Sequence, residues 1–352
     1  MSKSYGKAEE AAKKIINMVK FKDFCENITE KEYRASSRPS YSFLKELEDK
    51  GPSVIRDGIE FKDSPGLRLG SMVDGLTTNP EYNILDKFQI TNVPFDLSGE
   101  THTSKVLKYI YNNKINDVNE DKFNNICNEL KFKRPPSFND NLFQIQLNMI
   151  KGMLNGKKYI SEKEYKLAIN MSDTLKTHDF TRNIFNPDPD IEVIYQAIIF
   201  FTIFGLEVKS MLDIIHVDHK NKLIYPMDIK TGSLYNFMIN FYEFKYYLQA
   251  AKYTIAVYYI KENNKEFKDY KVMPFKFIYI SREKPNLPLI YEMKEDFIEL
   301  ASKGWTSIGG KRYKGILEIV KDYQWYIKND EYDLKRDIVE NNGVISINTP
   351  IV

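Results

Sequence analysis

The sequence predicts an α/β protein with a central mixed β-sheet, flanking helices and a helical first half. Three observations predict this. At Ile191 the texture changes, and the runs IEVIYQAIIFFTIF, LEVKSMLDIIHVD and LIYPMDIKTG follow one another across short polar breaks, as strands do. Two further strand-like runs, MPFKFIYISR and LPLIYEMK, come after a long aromatic-rich helical stretch. Upstream, from Thr77 to about Asp190, the pattern is polar and mostly helical.

In order, residues 7–22 read as an amphipathic helix with Ala11, Ile15, Met18 and Val19 on one face. Ser40 or Ser42 caps a short helix ending near Lys50–Gly51. Pro65–Gly66 marks a turn, and Leu67–Leu76 opens a helix. Helices are expected over Ser104–Asn113, Glu120–Leu130, Asp140–Leu154 and Glu162–Thr177, with breaks at Pro135–Pro136 and Asn186–Pro189. The first two strands join near Gly205 and the next two across a polar turn at His219–Lys222. Asn236–Tyr259 is the long helical stretch, the last two strands flank Lys284–Pro288, and Glu295–Lys303 and Gly315–Asn329 are the closing helices. This divides the chain into N-terminal helices (1–76), a helical insertion (77–190), the sheet-bearing core (191–340) and a tail (341–352).

Composition bounds the function. The chain has 352 residues, 42% apolar and 28% charged, enough to bury a core and to exclude global disorder. Lysine and arginine total 51 against 49 aspartates and glutamates, so affinity for nucleic acid must come from where the positive charges sit. Cys25 and Cys127 alone exclude a four-cysteine zinc site, an iron–sulfur cluster and a disulfide scaffold. The N-terminus lacks an apolar signal core, and the longest apolar stretch, Ile191–Leu206, carries Glu192, Gln196 and Thr202, too polar to span a bilayer. A cytoplasmic protein with no membrane partner is expected.

The segment Lys209–Gly232 carries the chemistry. Antiparallel pairing of its two strands brings Asp213 and Asp228 to one end of the sheet, and Asp228 and Lys230 emerge on the same face. Two carboxylates hold Mg²⁺ through hard oxygens, and a lysine orients or helps deprotonate the attacking water, the set that metal-dependent phosphodiester cleavage needs. The competing reading is a hairpin with a solvated charged face. Apolar Leu223, Ile224, Tyr225, Met227 and Ile229 argue for a buried strand, where a carboxylate and a lysine require partners or a metal.

Several separated motifs then resemble one family. Tyr41-Ser42-Phe43-Leu44-Lys45 with Pro52 resembles its short N-terminal helix. Gly70-Ser71-Met72-Val73-Asp74 resembles its Gly-Ser/Thr-x-x-His motif, with aspartate in place of histidine. Lys209 to Asp213 resembles its Lys-Gly-x-x-Asp strand, with Ser210 for glycine. Asp228-Ile229-Lys230-Thr231 matches Asp-x-Lys-Thr, and Gln249 with Tyr253 matches Gln-x-x-x-Tyr. Gln196 lies where relatives often carry a glutamate. In this order the chain resembles the PD-(D/E)XK nuclease superfamily, in its RecB-like and exonuclease VIII (RecE)-like branch, whose core phage and prophage exonucleases of the lambda type share. The resemblance covers residues 41–76 and 191–330.

It implies a restriction-endonuclease-like core and a Mg²⁺-dependent DNA exonuclease of recombination or phage DNA processing, with Mn²⁺ as an alternative ion. Asp213, Asp228, the Ile229 carbonyl and Asp74 would ligate the metal. Lys230 would position the water, Gln249 would hold the lysine or a phosphate, and Tyr253 would contact the DNA backbone. A single-strand annealing protein and a homo-oligomer are the implied partners beside DNA. An endonuclease of the same fold and an inactive DNA-binding relative are the alternatives.

Other signals carry less. His216-Val217-Asp218-His219 reads as a solvated turn before it reads as a metal site. Gly304–Arg312 fails the spacing of a phosphate-binding loop, although Lys311, Arg312 and Lys314 could touch DNA phosphates. Cys25 and Cys127 read as buried fillers.

Overall fold

A computed structural model describes residues 19–59, 63–93, 97–234 and 236–345. The chain forms two compact units, one from Met1–Lys62 with Thr174–Val352 and the other from Asp63–Asp173.

After a 3₁₀ turn at Phe21–Phe24, the first unit begins with helices α1 (Glu30–Ala35), α2 (Tyr41–Lys50) and α3 (Ser53–Asp57). Ser40 caps α2 by accepting the Phe43 N–H at 3.2 Å, and Gly51, with φ 94°, ends it. The expected helix over residues 7–22 falls mostly outside the described residues.

The second unit holds α4 (Pro65–Thr78), α5 (Ile84–Lys87), β1 (Phe88–Ile90), α6 (His102–Asn112), α7 (Glu120–Glu129), α8 (Asn141–Leu154) and β2 (Lys158–Ile160). It also takes in most of α9 (Glu162–Thr177), and β1 pairs in parallel with β2. Val106, Ile110, Phe123, Phe143, Leu147 and Ile150 fill its core, each from the apolar stripe of an amphipathic helix. Pro65–Gly66 is not a turn: Ser64 accepts the Leu67 N–H, and Pro65 is the first helical residue, where its missing N–H costs nothing.

The first unit resumes with α10 (Arg182–Phe185), then β3 (Ile191–Ile203), β4 (Leu206–Asp218) and β5 (Leu223–Gly232). Phe204 and Gly205, both at positive φ, form the two-residue β3–β4 turn, whose twist matches that of paired strands. Next come α11 (Phe237–Glu243), α12 (Tyr246–Asn263), β6 (Lys271–Val272), β7 (Phe275–Ser281), β8 (Leu289–Met293) and α13 (Glu295–Lys303). The hairpin β9 (Trp305–Thr306) and β10 (Arg312–Tyr313), then α14 (Ile316–Asn329) and α15 (Arg336–Glu340), complete it.

The main sheet runs β3-β4-β5-β7-β8, with β6 also on β5. All its pairings are antiparallel except those of β5 with β6 and β7, which are parallel across the α11–α12 crossover. The sheet is therefore mixed, as expected. From Tyr247 to Thr254 every residue of α12 is buried, because the helix lies between the sheet and α13, α14 and α2. The expected single helix over Asn236–Tyr259 is two, broken where Lys245 turns left-handed at φ 54°. The two- and three-residue strands and α15 were not anticipated, being too short to show a period.

Candidate functional site

The site forms where β4 and β5 part. Their ladder runs from Asp218↔Leu223 to Ile214↔Met227. Beyond that pair, β5 stays zipped to β7 as far as Gly232↔Ser281. The Ile229 N–H finds its acceptor in a side chain, the Asp213 Oδ2 at 2.8 Å. Asp213 and Asp228 are the next residues past the last ladder pair, so both emerge on one face, and a hydrogen bond links their carboxyl groups.

Asp228 is 1% exposed. Its Oδ1 accepts a hydrogen bond from Gln249 Nε2 at 2.7 Å. Lys230 Nζ lies against its Oδ2 as an ion pair, yet that oxygen accepts no hydrogen bond in good geometry. Burial raises the Asp228 pKa more than Lys230, Asp213 and Gln249 together lower it. For Lys230 burial acts the other way, and the Asp228 carboxylate, Tyr246 and Asp213 overcome it, so its pKa is raised and the ammonium is held charged. That ammonium also sits 4.9 Å from the Tyr246 ring centroid.

Helix α12 is aimed by its first corner. Tyr41 of α2 donates its hydroxyl to the Phe244 carbonyl at 2.5 Å, and Asp49 pairs with Lys245 at 2.6 Å. From this pinned, left-handed corner, Tyr246, Gln249 and Tyr253 follow at three- and four-residue spacing on one helix face. Tyr253 is 8% exposed and hydrogen-bonds Gln249; burial, then Tyr33 and the two aspartates, push its pKa well up. It is core as much as site. Lys252, fully buried, donates to the Lys209 carbonyl and to Ser210 Oγ, which fastens the helix to β4.

A cavity of about 610 Å³ opens beside these residues, lined in part by Arg34, Arg38, Ser42, Lys209, Met211 and Tyr253. Lys209 Nζ donates to the Tyr33 and Ser36 carbonyls at 2.7 Å, and Arg38 Nε is buried without an acceptor. Sequence reasoning missed Arg34 and Arg38. The signal was there in Arg34-Ala35-Ser36-Ser37-Arg38, two arginines around hydroxyls just before the α2 cap.

Two carboxylates side by side are hard oxygen donors of the kind a divalent cation takes, with one Asp228 oxygen facing the Lys230 ammonium. Among the described residues no three His, Cys, Asp or Glu side chains gather to hold a metal, so the acidic donors here number two. Asp74 lies on α4 of the second unit, half-buried, with Thr78 Oγ1 donating to its main-chain carbonyl. Lys311 and Arg312 sit on the β9–β10 hairpin, Lys311 over Tyr313 and Arg312 ion-paired to Glu318 at 2.6 Å.

The histidines of the β4–β5 turn are not solvated. His216 is buried within the sheet, and burial pushes its pKa down to about 4. His219 bridges Tyr270 at 2.9 Å and Glu192 at 2.8 Å, and Glu192 also accepts the Phe21 and Lys22 N–H groups. Cys127 is buried in the second core, and burial raises the Cys25 thiol to about 12, so both are inert fillers. No helix among the described residues is long and apolar enough to cross a membrane.

No family model and no curated protein matches this chain. Among solved structures, it is similar to a Eubacterium rectale protein provisionally described as an exonuclease, at 14% identity and a TM-score of 0.45, over 93% of this chain and 97% of that one.

Proposed function

We propose that this protein is a Mg²⁺-dependent deoxyribonuclease that degrades linear DNA as an exonuclease. The observation that carries the reading is the buried Asp213–Asp228–Lys230 cluster at the parting of β4 and β5, held by Gln249. Bound there by Asp213 and Asp228, the cation would polarise the scissile phosphate and lower the pKa of a bound water. Asp74 belongs to the other unit, and the proposal is built without it.

The chain's own residues divide the remaining work. A lysine kept charged by its neighbours donates hydrogen bonds and does not take a proton, so Lys230 orients the attacking water and stabilises charge developing on the phosphate. Gln249 holds the Asp228 carboxylate in place through Oδ1, while Oδ2 faces the Lys230 ammonium. Arg34 and Arg38, which line the adjoining cavity and pair with Glu30 and Glu207, are the cations nearest to hand for the DNA backbone, whereas Lys209 is buried and donates to the Tyr33 and Ser36 carbonyls.

The test is degradation of end-labelled linear duplex and of closed circular DNA, with Mg²⁺ and with chelator, by wild type and Asp228→Ala. Linear-only, Mg²⁺-dependent loss that vanishes in the variant is expected. Cutting of the circle would make the protein an endonuclease. Folded protein that cuts neither with any divalent metal would leave a nuclease-like core that only binds.

A further inference from the structure

Eight non-glycine residues among those described have positive φ. Lys114, Lys131, Phe204, Lys222, Lys245, Asp330 and Asn342 all lie at turns or helix ends, where the chain must reverse or stop. Gln196, at φ 49°, lies inside the thirteen-residue strand β3. No residue is inserted there: the register reads Tyr195↔Ile214 before it and Ala197↔Leu212 after it, so Gln196 stands directly across from Asp213. A left-handed residue in mid-strand turns its two flanking peptide planes out of the ladder, and for a side chain other than glycine this conformation is strained. Such strain persists where the surroundings over-determine it, and it concentrates at functional sites.

The distortion falls at one step of the sheet. On one side of Asp213 lies Gln196; on the other, the β4–β5 ladder ends at Ile214↔Met227. Asp213 is thus where β4 departs from regular geometry toward both neighbours, and it is the residue whose carboxylate takes the Ile229 N–H and meets Asp228.

We infer that Gln196 is a positioning residue for this site: its left-handed backbone lets β4 swing at Asp213, and that swing aims the Asp213 carboxylate at Ile229 and Asp228. The inference deepens the proposed nuclease site and rests on that reading for its metal, but not for its geometry. It accounts for a strand residue that the sequence pattern marked only by the glutamate it lacks.

Two substitutions separate backbone from side chain. Gln196→Gly keeps the left-handed conformation without strain, and Gln196→Val, β-branched, cannot adopt it and pulls the strand straight. The readouts are Mg²⁺ affinity by calorimetry and hydrogen exchange at the Ile229 amide, which needs no metal. In the valine variant Mg²⁺ binding should weaken about tenfold or more, the range seen when residues supporting metal ligands are replaced, and Ile229 exchange should quicken in step. In the glycine variant both should stay near wild type. Wild-type behaviour of the valine variant would overturn the inference, and so would equal losses in both. If the valine variant does not fold, the glycine variant decides: a loss of about tenfold there also overturns it. If wild type binds no Mg²⁺, the nuclease reading fails, and the exchange measurement alone still judges Gln196.

Discussion

The two ends of the β4–β5 hairpin are built from the same two strands and do opposite things. At the turn end the ladder from Ile214↔Met227 to Asp218↔Leu223 is complete, and the titratable groups within it are neutralised or satisfied. His216 is buried and kept uncharged, and His219 is spent between Glu192 and Tyr270. At the other end the strands part, and the space between them holds two carboxylates and an ammonium. A closed ladder consumes its backbone donors and leaves side chains to pack. An open one frees a donor, here Ile229 N–H, to orient a carboxylate.

Burial by itself therefore does not decide charge. Lys230 and Lys252 are both enclosed, yet their pKa shifts run in opposite directions. Lys252 meets a carbonyl, a hydroxyl, the Phe201 ring and the like charge of Lys209, and burial, with that like charge, makes its pKa fall. Around Lys230 there is Asp228, and the pair outweighs the cost of burial.

Breaking the open end should cost most. Asp228→Asn leaves the Lys230 ammonium enclosed without its counter-charge, a loss of about 3–5 kcal/mol that denaturant unfolding would register. Lys230→Met should cost less, because Asp228 can take a proton and become neutral. The same variant sharpens the electrostatic argument. Asp228 must lose its proton to bind metal, so Mg²⁺ affinity in wild type should rise with pH through its raised pKa. Removing the ammonium that lowers this pKa should move the midpoint of that rise to higher pH, as Mg²⁺ titrations across pH would read. A midpoint unmoved or lowered would mean the two groups do not act on each other.

The closed end makes a smaller, opposite prediction. His216 titrates near 4 when folded and at an ordinary 6.5 when unfolded. Its neutral form thus favours the fold above pH 6.5, and this contribution, of order 3 kcal/mol, is lost as pH falls through about 4. His216→Leu should flatten that part of the stability–pH curve. Smallest of all, Ser40→Ala removes the cap of α2, the helix that pins the α11–α12 corner, and should cost about 1 kcal/mol in thermal unfolding. A larger loss, or one accompanied by weaker Mg²⁺ binding, would show that the corner couples to the site.

Much of this was legible beforehand because it is periodic. The three strands after Ile191, their turns at Gly205 and His219–Lys222, the helices of the second unit and the shared face of Asp228 and Lys230 follow from spacing alone. The break at Lys245 was not legible, because the aromatic run on both sides satisfies one helical pattern and the corner is set by Tyr41 and Asp49, two hundred residues away in round terms. Nor was the burial of His216 and His219, since a polar turn and a turn clamped by Glu192 and Tyr270 read alike.

The sequence by itself determined which residues carry charge, which faces are apolar, and hence that a mixed sheet would bear Asp213, Asp228 and Lys230 together. Tertiary structure alone decided where β4 and β5 part, that Gln196 turns left-handed across from Asp213, and which enclosed lysine stays charged. The reason is the range of the forces. Periodicity is local and survives in the order of residues, whereas ladder termination and pKa are set by what the fold brings within a few ångströms.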